Sequence, residues 1–258
     1  MERSRQIAAM AENEDERLRL VRVCDRLERA AEREQPAATA FLSPREQALV
    51  RQLLPGCTFW GGTEGAERAV AYFVPEYLTK EDFFDGGVIA CLRASFYEKN
   101  ALSHRDVLGA LMGAGIRRDA VGDIYIGEQS CEFFVLAELA EYLRDNLTSA
   151  GRHALHLEQI DPREVQKPAQ QTKELRLSVA SLRLDSVVSG AFHLSRGATA
   201  DAIRAGRVAV NSLTCLKPDR TVAENDALSL RGAGKLRVLR LEGETRCGRL
   251  AVTVEVFL

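Results

Sequence analysis

The stretch RLDSVVSGAFHLSRGATADAIRAGRVAVN, residues 183–211, decides the fold of the C-terminal part of the chain. In its first half, apolar residues recur at the spacing of a helix: Leu184, Val187, Val188 and Ala191. Ser195 is a favourable N-cap for a second helix, and Gly206 stands where a left-handed residue commonly ends one. The alternation over 208–210 predicts a strand, and residues 211–212 suit a turn. The stretch therefore predicts a helix pair that leads into a small sheet.

Arginines accompany this predicted helix pair. Arg196 and Arg204 are eight residues apart in the sequence, which places them about 80° from each other on a helix of roughly 3.6 residues per turn. Arg207 follows the helix end. Guanidinium groups suit phosphate, because their planar fork donates two hydrogen bonds at once and keeps its charge. We expect a compact platform that presents these groups to a polyanion.

A gapped pattern extends over about fifty residues of this region. It reads R-L-D, S-R, I-x-x-G-x-V-x-V-N, K-P and D-A-L-S-L-R-G, and it resembles the S4 RNA-binding domain. Two alternating segments, 235–241 and 250–257, follow it and predict a hairpin. The alternative is a basic, solvated face on an unrelated small α+β module.

Composition and charge narrow the class of protein. The 258 residues are 46% hydrophobic and 28% charged, and no apolar run approaches the ~20 residues of a membrane helix. From Leu175 onward there are 13 Lys and Arg against 8 Asp and Glu, a net charge of +5, whereas the preceding part carries −7. This asymmetry favours a localised anion-binding module.

Cysteines and the N-terminus indicate a reducing compartment. The six cysteines are widely scattered, with no zinc-type spacing, and the acidic N-terminus lacks the apolar core of a secretory signal. We expect a cytoplasmic protein with no metal and no cofactor.

The predicted fold class is α+β in three parts. An N-terminal helical segment (1–56) contains a charged helix over Ala11–Gln35, with an apolar stripe ending at Ala31, and a second helix capped by Ser43 and Glu46. A middle domain (57–160) has the order β-α-β-β-α-β after a glycine-rich turn, which is the ferredoxin-like order shared by RRM domains. A proline-containing linker (161–174) then leads to the S4-like domain (175–258).

The middle domain lacks the aromatic RNA-binding signature of an RRM. Phe133 and Phe134 are adjacent and so point to opposite faces of a strand, which predicts core positions for both. Arg117 and Arg118 follow a predicted helix capped by Ser103, and they are candidates for a second basic contact.

The segment 182–190, LRLDSVVSG, also resembles the active-site motif R-L-D-x-x-T-S-G of pseudouridine synthases. Val188 replaces the threonine, and about seventy residues follow, too few for that catalytic domain. Within the S4-like pattern, Asp185 is instead expected at a helix N-terminus, where the helix dipole favours a carboxylate. We therefore expect no catalytic residue here.

The whole architecture, over roughly residues 40–258, resembles the bacterial YlmH-like proteins and the photosystem II S4-domain proteins. The segments that carry the resemblance are FLSPREQ (41–47), FWGGTEGAER (59–68), PEY (75–77), HRDVLGALMGAGIRR (104–118), VGDI (121–124), SLRLD (181–185) and SLRGAG (229–234). The resemblance implies a non-enzymatic protein that associates with the large ribosomal subunit carrying a stalled peptidyl-tRNA, in ribosome-associated quality control.

The sequence leads to the hypothesis of a monomer that binds the backbone of structured ribosomal RNA or tRNA, with no membrane and no small-molecule substrate. The residues expected to bind RNA are Arg183, Ser195, Arg196, Arg204, Arg207, Asn211, Lys217, Arg231 and Lys235, with Arg117 and Arg118 as a second contact. A protein–protein adaptor, whose S4-like module binds an acidic partner, is the alternative from another class.

Overall fold

The computed structural model describes residues 2–99, 102–168, 171–244 and 248–257. The chain is an α+β protein, as its sequence predicts, and it forms two compact units, 1–168 and 169–258. No helix within the described residues is long and apolar enough to cross a membrane.

The first unit begins with three helices, α1 (Glu2–Met10), α2 (Glu14–Glu32) and α3 (Pro44–Leu53). The charged helix starts later than its sequence predicts, because the Asn13 side chain accepts a hydrogen bond from the Glu16 backbone and caps α2. The apolar stripe ends at the buried Ala30, and Ala31 is exposed. The capping box of Ser43 and Glu46 is confirmed.

A three-stranded sheet joins the N-terminal segment to the residues after it. Its strands are β1 (Ala37–Leu42), β2 (Thr58–Trp60) and β3 (Ala69–Phe73), in the order β1-β3-β2, and α4 (Lys80–Asp85) follows. Because β1 pairs with β3, the expected boundary between residues 56 and 57 falls inside this sheet. The N-terminal segment is therefore not purely helical.

The middle of the first unit is a four-stranded antiparallel sheet with helices. Its strands and helices are β4 (Ile89–Ser95), α5 (His104–Gly113), β5 (Val121–Ile126), β6 (Ser130–Leu136), α6 (Ala140–Asn146), the short hairpin β7 (Ser149–Ala150) and β8 (His153–Ala154), and β9 (His156–Ile160). The strand order is β5-β6-β4-β9. Short 3-10 turns cover Arg118–Ala120, Ala137–Leu139 and Pro162–Glu164.

Both faces of this sheet are covered. The Phe133 ring packs in the core that contains α5 and α6, and the Phe134 ring packs with Phe41 and Val70 on the other face. Both rings are fully buried, which confirms the sequence prediction that they are core residues.

Residues 161–168 belong to the first unit, to which they are bound by hydrogen bonds and apolar contacts. Arg93 pairs with Glu132 at 3.0 Å, and the Gln166 backbone donates to the other oxygen of Glu132 at 3.1 Å. Val165 packs beside Phe134 in the cluster described above. The expected linker (161–174) is therefore shorter than predicted, since the first strand of the second unit already begins at Thr172. Residues 169 and 170 lie outside the described residues.

The second unit is a six-stranded antiparallel sheet with two helices. Its elements are β10 (Thr172–Val179), α7 (Leu184–Ala191), α8 (Arg196–Arg204), β11 (Val208–Val210), β12 (Leu213–Thr214), β13 (Ala227–Leu230), β14 (Gly234–Glu244) and β15 (Leu250–Phe257). The strand order is β10-β15-β14-β13-β11-β12. Leu184 and Val187 of α7 and Ile203 of α8 are buried against Leu236 and Val252, so the helices cover one face of the sheet.

Candidate RNA-binding surface

Two of the expected phosphate ligands share one carboxylate at the start of α7. The Asp185 side chain accepts hydrogen bonds from Arg183 at 3.2 Å and from Arg196 at 3.2 and 3.3 Å. Asp185 is buried, with a side chain 7% exposed, whereas those of Arg183 and Arg196 are 43% and 54% exposed. The carboxylate therefore holds two guanidinium groups on their buried side and leaves their other edges exposed to solvent.

The hydrogen bonds of this cluster stabilise the charged forms of its groups. Burial raises the pKa of Asp185, but the hydrogen bonds from Arg183 and Arg196 outweigh it, so the pKa lies below its ordinary value. The same hydrogen bond raises the pKa of Arg183. Asp185 and Arg183 therefore stay ionised at neutral pH, and Asp185 has the expected helix N-terminal position.

The loop after β12 brings further cations beside Arg183. The Leu184 backbone donates to the carbonyl of Arg220 at 2.8 Å, and the Asp185 backbone donates to that of Pro218 at 3.0 Å. Lys217 in this loop is exposed, as its expected role requires, and Arg220 is half-buried. Sequence reasoning missed Arg220, because only the contact between the loop and α7 brings it to this surface.

Arg204 lies in the last turn of α8 and pairs with Asp201 at 3.1 Å. Both side chains are largely exposed, and an ion pair in water is weak enough for a phosphate to compete with it.

Arg207 and Arg231 are neighbours on adjacent chain segments. The Arg231 backbone donates to the carbonyl of Arg207 at 2.9 Å, which continues the pairing of β11 with β13 by one residue. Both side chains are exposed, and no carboxylate in the described part of the chain binds either. The turn at Gly206, whose φ is +69°, sets this position of Arg207 directly after α8.

Ser195 and Asn211 hold the backbone of the expected site. The Ser195 hydroxyl accepts from the Ala198 backbone and caps α8, as predicted. The Asn211 side chain donates to Asp226 at 2.7 Å and accepts from the Ala227 backbone at 2.9 Å. The amide of Asn211 is thus engaged within the protein, which suits a positioning role better than direct contact with RNA.

Lys235 lies on β14, where it faces Phe257 of β15 across the pair. Its ammonium nitrogen is 5.7 Å from the centroid of the Phe257 ring, and the guanidinium of Arg237 is 6.0 Å from the same centroid. Sequence reasoning missed Arg237 and Phe257, because the strand register alone brings them together.

Arg117 and Arg118 lie in the first unit and differ from each other. Arg117 is exposed and pairs with Asp119 at 3.2 Å. The Arg118 side chain turns inward and donates to the carbonyl of Val121 at 2.7 Å, and burial lowers its pKa. Arg118 therefore stabilises the turn before β5, and of the two only Arg117 has the exposure that a phosphate contact requires.

The glycine-rich turn of residues 61–65 packs against the middle sheet. Asp123 accepts backbone hydrogen bonds from Glu67 at 2.7 Å and from Arg68 at 2.9 Å. Gly62 has a φ of +96°, and a Cβ there would lie 2.3 Å from the Phe134 ring. These contacts agree with the expectation of a tight structural turn.

Fold and surface together define the class: an α+β protein whose C-terminal unit carries surface guanidinium groups, two of them bound to a buried carboxylate. A family model described as "Putative RNA-binding domain in YlmH" matches residues 89–164. The ribosome-associated protein quality control protein P2 of Bacillus subtilis (strain 168) is 36% identical over 222 residues, which covers 84% of this chain and 86% of that protein. The chain belongs to this family, the YlmH family.

A solved structure of the cell division protein YlmH from Streptococcus pneumoniae is also similar. It is 19% identical, with a TM-score of 0.49, and the match covers 60% of this chain and 98% of that one. The share of this chain matched by the Bacillus protein exceeds either compact unit, so that similarity includes parts of both.

Proposed function

We propose that the protein binds structured ribosomal RNA or tRNA on the large ribosomal subunit, without catalysing a reaction, in ribosome-associated quality control of stalled peptidyl-tRNA. In this proposal the C-terminal unit is an S4 RNA-binding domain and the middle sheet is RRM-like. The residues proposed to contact phosphate are Arg183, Arg196, Arg204, Arg207, Lys217, Arg231 and Lys235, while Ser195 and Asn211 position them.

The observation that carries the proposal is the buried carboxylate of Asp185 beneath two half-exposed guanidinium groups. An ordered guanidinium loses less conformational entropy when it binds a phosphate than a freely moving one does. Arg207 and Arg231 add two charges without carboxylate partners among the described residues, so the arrangement favours an extended polyanion over a single ion.

The relatives support the setting of this activity. The Bacillus relative is named for ribosome-associated protein quality control, and the matched family model is named for RNA binding. The matched residues 89–164 include the middle sheet, whose two faces are covered by protein. We therefore propose that this domain does not stack bases on its sheet as an RRM does. We also propose that the protein acts as a cytoplasmic monomer.

The test is the double variant Arg196→Ala and Arg207→Ala in the full chain. We expect its affinity for ribosomes, measured by co-sedimentation, to fall at least tenfold. The reason is that charge-assisted contacts to phosphate contribute about 1.5–3 kcal/mol each. The urea midpoint should fall only slightly, because Arg183 still binds Asp185 and the Arg207 side chain lies at the surface.

The matched control is the double variant Arg29→Ala and Arg163→Ala. These arginines are also exposed, each is paired with a carboxylate as Arg196 is, and they belong to the first unit and not to the proposed phosphate ligands. Ribosome binding that is unchanged in the first variant, or equally reduced in the control, would contradict the proposal. A complex that survives ribonuclease would favour the protein–protein adaptor instead.

A further inference from the structure

The sheet of the C-terminal unit has a second face, opposite the one that α7 and α8 cover. Leu228 of β13 and Leu236 of β14 are buried in the helix-side core, so the residues that alternate with them point the other way. The register places Ser229 opposite both Ala209 and Lys235, and Lys235 opposite Phe257. We call this surface, formed by β11, β13, β14 and the end of β15, the outer face.

Phe257 is an aromatic ring that lies beside two cations of the neighbouring strand on the outer face. It is half-buried, and Lys235 and Arg237 approach its centroid to 5.7 and 6.0 Å. These distances are at the outer limit of cation–π contact, near 6 Å. A flat group that lies on the ring therefore has two cations next to it, where an adjoining phosphate can bind.

The floor next to this ring is flat. Ala209, Ala227 and Ser229 have short side chains and are half-buried rather than covered. Small residues on three adjacent positions leave room for a planar group to lie along the sheet beside Phe257.

Charge on the outer face is distributed unevenly. Arg207 and Arg231 continue the pairing of β11 and β13 beyond the strand ends and are exposed. The acidic residues lie toward the other side, where Glu255 faces Arg237 and Glu174 faces Glu255. An anionic chain is therefore attracted to the part of the face formed by β11, β13 and the start of β14.

We propose that the outer face binds a single-stranded segment of RNA, with one base stacked on Phe257 and the adjoining phosphates held by Lys235, Arg237 and Arg231. The inference rests on the proposed function, since it takes Arg231 and Lys235 from the phosphate ligands proposed there and assigns them to a single-stranded segment on the outer face. A single strand fits better than a duplex because the flat faces of its bases are exposed. An aromatic side chain can stack on any of them, whatever the RNA sequence.

The experiment compares two labelled RNA probes with the full chain by fluorescence anisotropy: an oligoadenylate of about 12 nucleotides and a fully paired hairpin of similar length. The decisive variants are Phe257→Leu, which keeps an apolar side chain without a π face, and Phe257→Tyr, which keeps the ring. We expect Leu to weaken oligoadenylate binding about fivefold to thirtyfold and hairpin binding less than twofold, and Tyr to retain both.

A second variant reaches the same face without touching the ring. Ser229→Glu places a negative charge between Ala209 and Lys235 on the surface, so it leaves the core intact. It should weaken oligoadenylate binding as Phe257→Leu does. Ultraviolet crosslinking of the oligoadenylate should label the tryptic peptide that begins at Leu250.

The reciprocal variant separates the two proposals. Arg196→Ala with Arg204→Ala removes two cations from α8 and leaves Arg183 bound to Asp185, so it should weaken hairpin binding more than oligoadenylate binding. If Phe257→Leu and Ser229→Glu both bind oligoadenylate like the wild type, the outer-face inference is overturned, while loss of hairpin binding in the arginine variant still supports the proposed function. If the arginine variant binds hairpin and ribosomes normally while Phe257→Leu loses oligoadenylate, the proposed function fails and the outer face stands.

Discussion

At the scale of single residues, Asp185 determines how two of the proposed ligands are held. We expect Asp185→Asn to lower the free energy of unfolding by about 1–2 kcal/mol, because a neutral amide accepts weaker hydrogen bonds from Arg183 and Arg196 than a carboxylate does. This effect is small for hydrogen bonds to a charged group, because both arginines are half-exposed and screened by water. Urea unfolding at neutral pH measures the difference.

The same comparison has a defined pH dependence. The folded pKa of Asp185 is lowered, so its stabilising effect is fully present above the unfolded pKa of about 3.9 and disappears as the pH falls through the folded value. The stability advantage of the wild type over Asp185→Asn should therefore be constant above about pH 5 and should shrink as the pH falls below the unfolded pKa. Equal stability of the two proteins at neutral pH would show that the carboxylate does not anchor the cluster.

At the scale of elements, the turn between β11 and β12 tests whether Asn211 positions the site or contacts RNA. Asn211 and Ser212 have φ values of +51° and +69°, a conformation that asparagine and glycine tolerate best. Asn211→Ala should cost about 2 kcal/mol, since it removes the bonds to Asp226 and Ala227 and strains the turn. Ser212→Gly should stabilise the protein by about 0.5 kcal/mol.

Hairpin affinity decides the role of Asn211. Below the unfolding temperature of both variants, we expect each to bind the RNA hairpin within about twofold of the wild type, because the Asn211 amide is engaged inside the protein. A tenfold loss of hairpin affinity in Asn211→Ala alone, with an unchanged unfolding midpoint, would show that Asn211 contacts the RNA directly.

Elements that depend on local sequence were predictable, and those that depend on distant pairing were not. Ser43, Ser103 and Ser195 cap their helices as their sequences indicate, because a cap involves only the next three residues. The strand β1 was missed, since its partner β3 lies about thirty residues away. Arg118 is a different case, because the carbonyl that holds its side chain inward belongs to Val121, only three residues along the chain.

At the scale of the whole molecule, charge divides almost along the boundary between the two units. The sequence predicted this division from composition, and the structure places the boundary at residues 168–169. Composition could not predict that the cations of the second unit lie on both sides of its sheet, because the side on which a strand residue lies depends on register. Phe257 beside Lys235 and Arg237 is the clearest instance.

Salt dependence follows from this distribution and tests it on the intact protein. Each phosphate neutralised lowers log K by roughly 0.7–0.9 for every unit of log salt concentration, so a contact of about six cations predicts a slope near −4 to −5 for the hairpin. Arg196→Ala with Arg207→Ala should flatten the slope by about 1.5, whereas Arg29→Ala with Arg163→Ala should leave it unchanged. Anisotropy titrations between about 0.05 and 0.3 M KCl give both slopes. A wild-type slope near zero would mean that contacts other than those to phosphate hold the hairpin. The cationic surface would then lose its proposed role.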